Sequence, residues 1–160
     1  MTAPEFSSGA ARLLAGDTLR LLSLSHFEPI FGPLSGRRVG LVDGVGNVGD
    51  HLIYAATRQL LDAFGVDWIE QQPGDRDEIE YLLLFGGGNM GSNYLREMRR
   101  RQSALRPDVP SIVLPQSWMS PEPGPYWRCY VRERRSLTHC PDGVLAPDLA
   151  HRLRCRHRTT

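Results

Sequence analysis

Lysine is absent from this sequence: all 19 basic side chains are arginine. That absence excludes a Schiff-base lysine and the lysine of a phosphate-binding loop. Any anion recognised by a side chain must be held by Arg or His, and the planar donor fork of Arg fits carboxylate and phosphate. Cysteine is scarce, with Cys129, Cys140 and Cys155 alone. None forms a CxxC pair, an odd number argues against a disulfide framework, and no His/Cys cluster has zinc spacing. No metal is expected, and a reduced, cytoplasmic setting is the simplest reading. Net charge is nearly absent too, at +1. It supplies no general reason to expect nucleic acid or an anionic membrane as partner. Long apolar runs are also missing. The leucine-rich stretch from Ala10 to Leu24 is interrupted by Arg12, Asp17 and Arg20. It is too short and too charged to span a membrane and reads as an amphipathic helix packed on the domain, with a membrane-surface helix as the alternative. The N-terminus lacks the basic, apolar, small-residue order of a signal peptide.

What is present suits one domain. The 160 residues are 41% hydrophobic, enough for a core. Residues 1–37 read as an N-terminal helix and a Gly/Pro/Ser connection. Residues 38–151 alternate strands with helices, the signature of an α/β, Rossmann-like, mostly parallel sheet with flanking helices. Strands are predicted at Val39–Asp43, Val66–Glu70, Tyr81–Phe85, Ser111–Leu114, Cys129–Val131 and Gly143–Ala146. Helices are predicted at His51–Phe64 and along a face marked by Tyr94, Leu95, Met98 and Leu105, with Arg96, Arg99 and Arg100 turned to solvent. Trp118–Trp127 carries Pro121, Pro123 and Pro125 and reads as a loop. Residues 152–160 alternate Arg with Leu, Cys, His and Thr, a pattern that suits neither helix nor linker. They read as a frayed tail of a truncated gene product.

The chemistry-bearing residues gather at predicted strand ends. The first strand runs into Gly44-Val45-Gly46-Asn47-Val48-Gly49, a formal GxGxxG, and the second ends in Glu70, where a dinucleotide fold places its ribose-binding acid. This supports a nicotinamide-dinucleotide domain as one reading. Asp50 in the first helical turn opposes it, because acid there suits the helix dipole but repels a pyrophosphate. Asn47 and Asp50 suit hydroxyl groups better; the alternative is that Asp50 caps its helix and Asn47 adopts a left-handed turn. The third strand ends in Gly86-Gly87-Gly88-Asn89-Met90-Gly91, where bare glycines let backbone amides approach a ligand; the alternative is a flexible connector. Gln116 and Ser117 project polar groups over the same edge. Arg132 and Arg134 share a face if the fifth strand stays extended, a pair fit to hold phosphate or carboxylate; the alternative is surface arginine beside a helix capped by Ser136. Asp148 follows at the next strand end.

The ordered set GNVGD at 46–50, GGGN at 86–89, LPQS at 114–117, VRERRS at 131–136 and APDLAH at 146–151 resembles the polysaccharide pyruvyl transferase family of bacterial exopolysaccharide synthesis. The resemblance covers residues 38–151. It implies transfer of pyruvate from phosphoenolpyruvate to sugar hydroxyls as a ketal, with phosphate released, and no cofactor. It implies a fold of two Rossmann-like halves facing a cleft, as in many glycosyltransferases, of which this chain is the N-terminal half. It implies a sugar or lipid-linked oligosaccharide acceptor and association with membrane-bound polysaccharide assembly enzymes. The substrate-binding positions it implies are Asn47, Gly49, Gly86, Gly87, Gly88, Asn89, Gln116, Ser117, Arg132, Arg134 and Asp148. Asp50 and His51 are the candidate catalytic residues, placed to touch a hydroxyl, although His51 also reads as an ordinary helix-start histidine. Trp118, Tyr126 and Trp127 either stack on sugar or anchor their loop. A non-catalytic binding module is the remaining alternative.

Overall fold

The computed structural model describes residues 21–44 and 46–154. The expected helix at Ala10–Leu24 therefore lies largely outside the described residues, as do Cys155 and the rest of the tail. A single helical turn, α1 (Glu28–Phe31), leads into the sheet. Then follow β1 (Arg38–Val42), helix α2 (Val48–Ala63), β2 (Asp67–Glu70), β3 (Tyr81–Leu84), β4 (Gly87–Met90), helix α3 (Leu95–Ala104), β5 (Ser111–Trp118), β6 (Arg128–Val131) and β7 (Val144–Leu145).

The sheet has seven strands in the order β2-β1-β3-β5-β6-β7, with β4 also paired to β5. Every pairing is parallel. A parallel sheet is covered on both faces along its middle, so the inner strands β1 and β3 and the first half of β5 are apolar runs, while the edge strands β2 and β7 are largely exposed. The period of two then sorts apolar side chains between two cores. Leu83, Phe85, Ile112 and Leu114 pack on one face with Ile53, Leu60, Leu61 of α2 and with Phe27, Ile30 and Phe31. Leu82, Leu84, Val113 and Val131 pack on the other with Met90, Ala104, Val109 and Trp118. Each fully buried Leu or Phe contributes about 1.5–3 kcal/mol, which makes these two layers the main source of stability.

Helix α2 forms for legible reasons. Ile53, Ala56, Thr57, Leu60 and Leu61 make one buried stripe. The helix stops at Gly65, whose φ of +64° a side chain would disfavour. There Gly65 N–H donates to Asp62 O and Val66 N–H to Leu61 O, closing the last turn.

Three expectations are corrected. The glycines after β3 are neither a turn nor a slack connector: the chain bends and continues as β4 along β5, with Gly87 opposite Gln116. Strand β5 runs on through Trp118, so the loop begins later than its prolines suggest. The face of α3 is also reversed in part. Tyr94 and Leu95 are exposed, while Glu97, Arg101 and Ala104 are buried at i, i+4 and i+7. Arg96 and Arg99 do face solvent.

The reason for the reversal is an ion pair. The Arg101 and Glu122 side chains are both 0% exposed and pair directly. Arg101 Nε donates to Glu122 Oε1 at 2.9 Å, and its guanidinium stacks 5.4 Å from the Phe85 ring centre. Gly91 N–H and Tyr126 O–H donate to the same carboxylate at 2.8 and 2.7 Å. The pair ties α3 to the proline-rich segment after β5. Burial pushes the Glu122 carboxyl up, but the bonds from Arg101 and Tyr126 outweigh it and hold it below the usual glutamate range. Burial first, then the same contact with Glu122, pushes the Tyr126 phenol up.

Glu122→Gln should therefore cost about 3–5 kcal/mol in urea denaturation, since it strands a buried guanidinium. The double change Arg101→Met with Glu122→Met should recover much of that loss. Because the folded carboxyl is depressed, its contribution is present above the ordinary glutamate pKa of about 4.3 and is lost as pH falls through the lower folded value. Wild-type stability should drop across that acid window, and the drop should shrink in the double variant.

Candidate functional site

Strand β1 lies between β2 and β3, so the chain leaves β1 to one side and returns on the other. In open parallel sheets this reversal opens a crevice at the carboxyl ends of the strands, where ligands bind. Here those ends are Asp43-Gly44 after β1 and Phe85-Gly86 after β3, with α2 starting above them.

At the start of α2, Asn47 and Asp50 form a reciprocal cap. Asn47 Oδ1 accepts from Gly49 N–H at 2.8 Å and Asp50 N–H at 3.3 Å, and Asp50 Oδ2 accepts from Asn47 N–H at 2.9 Å. This is the alternative that the sequence left open for Asp50. Asn47 is not left-handed; its φ is −82°. Only one carboxylate oxygen is used, and among the described residues no hydrogen bond reaches Oδ1. His51 is exposed, its ring edge-on to Tyr54 at 5.8 Å.

The second glycine run lies against these groups. A Cβ on Gly86 would sit 3.0 Å from Pro115 O and 3.2 Å from Ile53, so Gly86 serves close packing of α2 on the sheet. Gly87 has a φ of +147°, and a Cβ there would sit 3.0 Å from Asp50 Oδ1 and 3.8 Å from Gln116 Oε1. Gln116 is fully buried. Its Nε2 donates to Phe85 O, while its Oε1 has no partner. Asn89 Oδ1 is likewise buried and unpartnered.

The arginines at the end of β6 separate. Arg132 Nη1 donates to Asp148 Oδ2 at 2.5 Å, and Nε and Nη2 donate to Ser117 Oγ at 3.2 and 2.7 Å. A Cβ on Gly88 would lie 3.4 Å from Arg132 Nη2, so the bare glycine lets the guanidinium lie over β4. Arg134 opens a short 3-10 turn, Arg134–Thr138, and is exposed. The strand does not stay extended, so the two guanidiniums do not form the pair expected from alternation. Ser136 is no cap either: its buried hydroxyl accepts from Trp118 N–H at 2.9 Å and donates to Glu133 Oε1 at 2.5 Å. Glu133 Oε2 accepts from Ser117 at 3.0 Å, completing a web around Arg132. Asp148 Oδ1 caps the next short turn through Ala150 N–H at 2.9 Å.

The edge thus brings together Asp50, Gly87, Gln116, Gly88, Ser117, Arg132 and Asp148. It leaves Arg134 and His51 on the surface. Glu70 pairs with Arg58 Nη2 at 2.8 Å, and Arg58 also bonds Asp43. Trp118, Tyr126 and Trp127 line a separate groove of about 430 Å³ with Cys129, His139 and Cys140. The thiols of Cys129 and Cys140 are free and are pushed up mainly by burial.

Sequence reasoning missed Tyr54. It follows Asp50 by four residues, on the same helix face, and that spacing was the available signal. Its hydroxyl is buried without a partner, and a Cβ on Gly44 would fall 2.5 Å from it. Burial first, then the nearby Asp50, Asp43 and Glu97 carboxylates, push the phenol far up and keep it neutral. It is a donor with no acceptor among the described residues, beside Gly44. Arg100, whose Nε donates to Asp43 O at 3.0 Å, closes the same side.

No protein-family model matches the chain, and no curated protein matches it in sequence. Its fold is similar to the crystal structure of a functionally uncharacterised protein from Klebsiella pneumoniae subsp. pneumoniae NTUH-K2044, with a TM-score of 0.56 and 18% identity. The likeness covers 86% of this chain and 58% of that one, so the chain spans little more than half of the neighbour's length. At that identity the comparison supports the α/β fold. No helix among the described residues is long and apolar enough to cross a membrane, and no group of metal-ligating side chains gathers among them.

Tyr54→Phe removes a buried hydroxyl that has no partner. Thermal unfolding should show stability unchanged or raised, because the desolvation cost of that group, about 1–3 kcal/mol, disappears. A fall of that size would mean that the hydroxyl has an acceptor in solution.

Proposed function

We propose that the carboxyl edge of this sheet binds phosphoenolpyruvate beside a sugar hydroxyl, as part of a polysaccharide pyruvyl transferase-like protein of exopolysaccharide synthesis. The observation that carries the reading is the placement of Arg132. Its guanidinium lies over bare Gly88, held by Ser117 and Asp148, on the same edge as Asp50. One fixed cation beside a set of free acceptors suits a ligand pair in which one member is anionic and the other carries hydroxyls.

The chemistry follows from the two substrates. Protonation of the donor's CH2 carbon makes its C2 electrophilic, and a first sugar hydroxyl adds there and loses its proton. A second hydroxyl then displaces phosphate from C2 and gives up its proton to the departing phosphate, leaving a ketal that retains the donor carboxylate. Arg132 is placed to hold negative charge on the donor, and Asp50 Oδ1 to accept a hydroxyl proton. The family resemblance adds a second half facing this edge, as in two-domain glycosyltransferases; a closed cleft would favour attack by sugar over water. It also implies a sugar or lipid-linked oligosaccharide acceptor, and the scarce cysteines, none in a CxxC pair, suit a cytoplasmic setting.

Calorimetry with phosphoenolpyruvate tests the reading, with NAD as the comparison ligand. Weak binding of phosphoenolpyruvate is expected for the wild type, a reduced affinity for Arg132→Lys, which keeps charge but loses the fork, and none for Arg132→Ala. Equal binding by all three would assign Arg132 to the fold alone. Binding of NAD in place of phosphoenolpyruvate would favour a dinucleotide domain.

A further inference from the structure

We propose that Glu133 is a positioning residue for Arg132: its carboxylate fixes the Ser117 hydroxyl as a double acceptor, which holds the guanidinium ready for the anionic group of a ligand. The proposal rests on the reading of Arg132 as the anion-holding residue of this edge and names what aims it.

The assignment follows from where each proton can go. A guanidinium only donates, and a hydroxyl has one proton and two lone pairs. Arg132 Nε and Nη2 both donate to Ser117 Oγ, at 3.2 and 2.7 Å, which takes both lone pairs. The single Ser117 proton must leave in a third direction, and it goes to Glu133 Oε2 at 3.0 Å. Without that acceptor the proton is free to turn toward Arg132 and compete with its N–H groups. Glu133 is itself held. Its Oε1 accepts from Ser136 Oγ at 2.5 Å, and Ser136 Oγ accepts from the backbone N–H of Trp118 at 2.9 Å. Ser117 and Ser136 are both buried, which leaves bulk water little access to replace either partner. A chain of bonds thus runs from the backbone of β5 to the guanidinium, and each group along it has one orientation.

What this leaves on Arg132 suits an anion. Nη1 donates to Asp148 Oδ2, so three of the five N–H groups are committed and one remains on each terminal nitrogen. Two N–H groups on neighbouring nitrogens are what a carboxylate or phosphate accepts together. The Arg132 side chain is 23% exposed, and Gly88 beneath Nη2 adds no Cβ, so a ligand can reach it. As a charge alone, Glu133 opposes an anion here. As the group that aims Arg132, it favours one. The two roles therefore predict opposite signs when the carboxylate is removed.

Calorimetry with phosphoenolpyruvate and with inorganic phosphate reads that sign. Glu133→Met keeps the side chain's length but removes the acceptor, and it should weaken binding about tenfold, the loss expected when a fixed side chain becomes mobile. Glu133→Ala should act alike and stands in if the first variant unfolds. Ser117→Ala should weaken binding too, and adding Glu133→Met to it should cost nothing further, because the two act through one chain. NMR supplies a readout that overall stability does not move. The Arg132 Nε–H signal, identified by its loss in Arg132→Lys, should exchange slowly with water in the wild type and faster in Glu133→Met. Unchanged or tighter anion binding in Glu133→Met, additive losses, or equal exchange overturns the proposal. Glu133-dependent binding of phosphate without phosphoenolpyruvate would remove the pyruvyl-transfer reading and keep Glu133 in its role. Phosphoenolpyruvate binding that needs Arg132 but not Glu133 would remove the proposal alone, and a wild type that binds neither anion would remove both.

Discussion

Everything at the carboxyl edge depends on how β3 parts from β1. Phe85 N–H makes the last bond to β1, donating to Val42 O at 3.0 Å. From there the chain runs on as β4 along β5 only. The Phe85 carbonyl would be left unpaired in a buried place, and the Gln116 side chain, itself fully buried, supplies the missing donor. One amide therefore satisfies the backbone where the crevice opens and, by doing so, turns its own oxygen toward Gly87. The glycines follow from the same bend. Gly86 must admit Ile53 and Pro115, and Gly87 must adopt a positive φ.

Charge in this protein is mostly spent on holding elements in place. Arg101 pins α3 through Glu122, and Arg132 gathers Ser117 and Asp148. Arg58 joins Asp43 to Glu70 across the ends of β1 and β2. In each case a planar fork bridges two segments at once, which an ammonium on a flexible stem does less well. A chain without lysine thus uses arginine both as internal strut and as the cation of its candidate site. In the proposed reading Arg132 serves as both, a strut held by Ser117 and Asp148 and a preorganised cation.

Much of the architecture was legible in the residues. The apolar run at Tyr81–Phe85 and the stripe Ile53, Ala56, Leu60 reported a buried strand and a one-faced helix. Gly65 reported the stop between them. The α3 face was not legible, because a fully buried arginine looks like a solvated one until its partner, Glu122, is found 21 positions on. The extent of β5 was hidden in the same way, since LPQSW reads as a strand end with polar residues, yet all of it is buried.

By itself the sequence determined the α/β class and the clustering of glycine, Asn, Asp, Gln and Arg at strand ends. Those properties depend on short-range periodicity and on where side chains can be omitted. Only the tertiary structure decided what each polar group does. It made Asp50 and Asn47 partners in a cap, separated Arg134 from Arg132, tied Glu70 to Arg58, and left Gln116 Oε1 and the Tyr54 hydroxyl without partners. The physical reason is that hydrogen bonds and ion pairs form between elements far apart in the chain. Their donors and acceptors are written in the sequence, but their pairing is set by which strands and helices the apolar cores bring together.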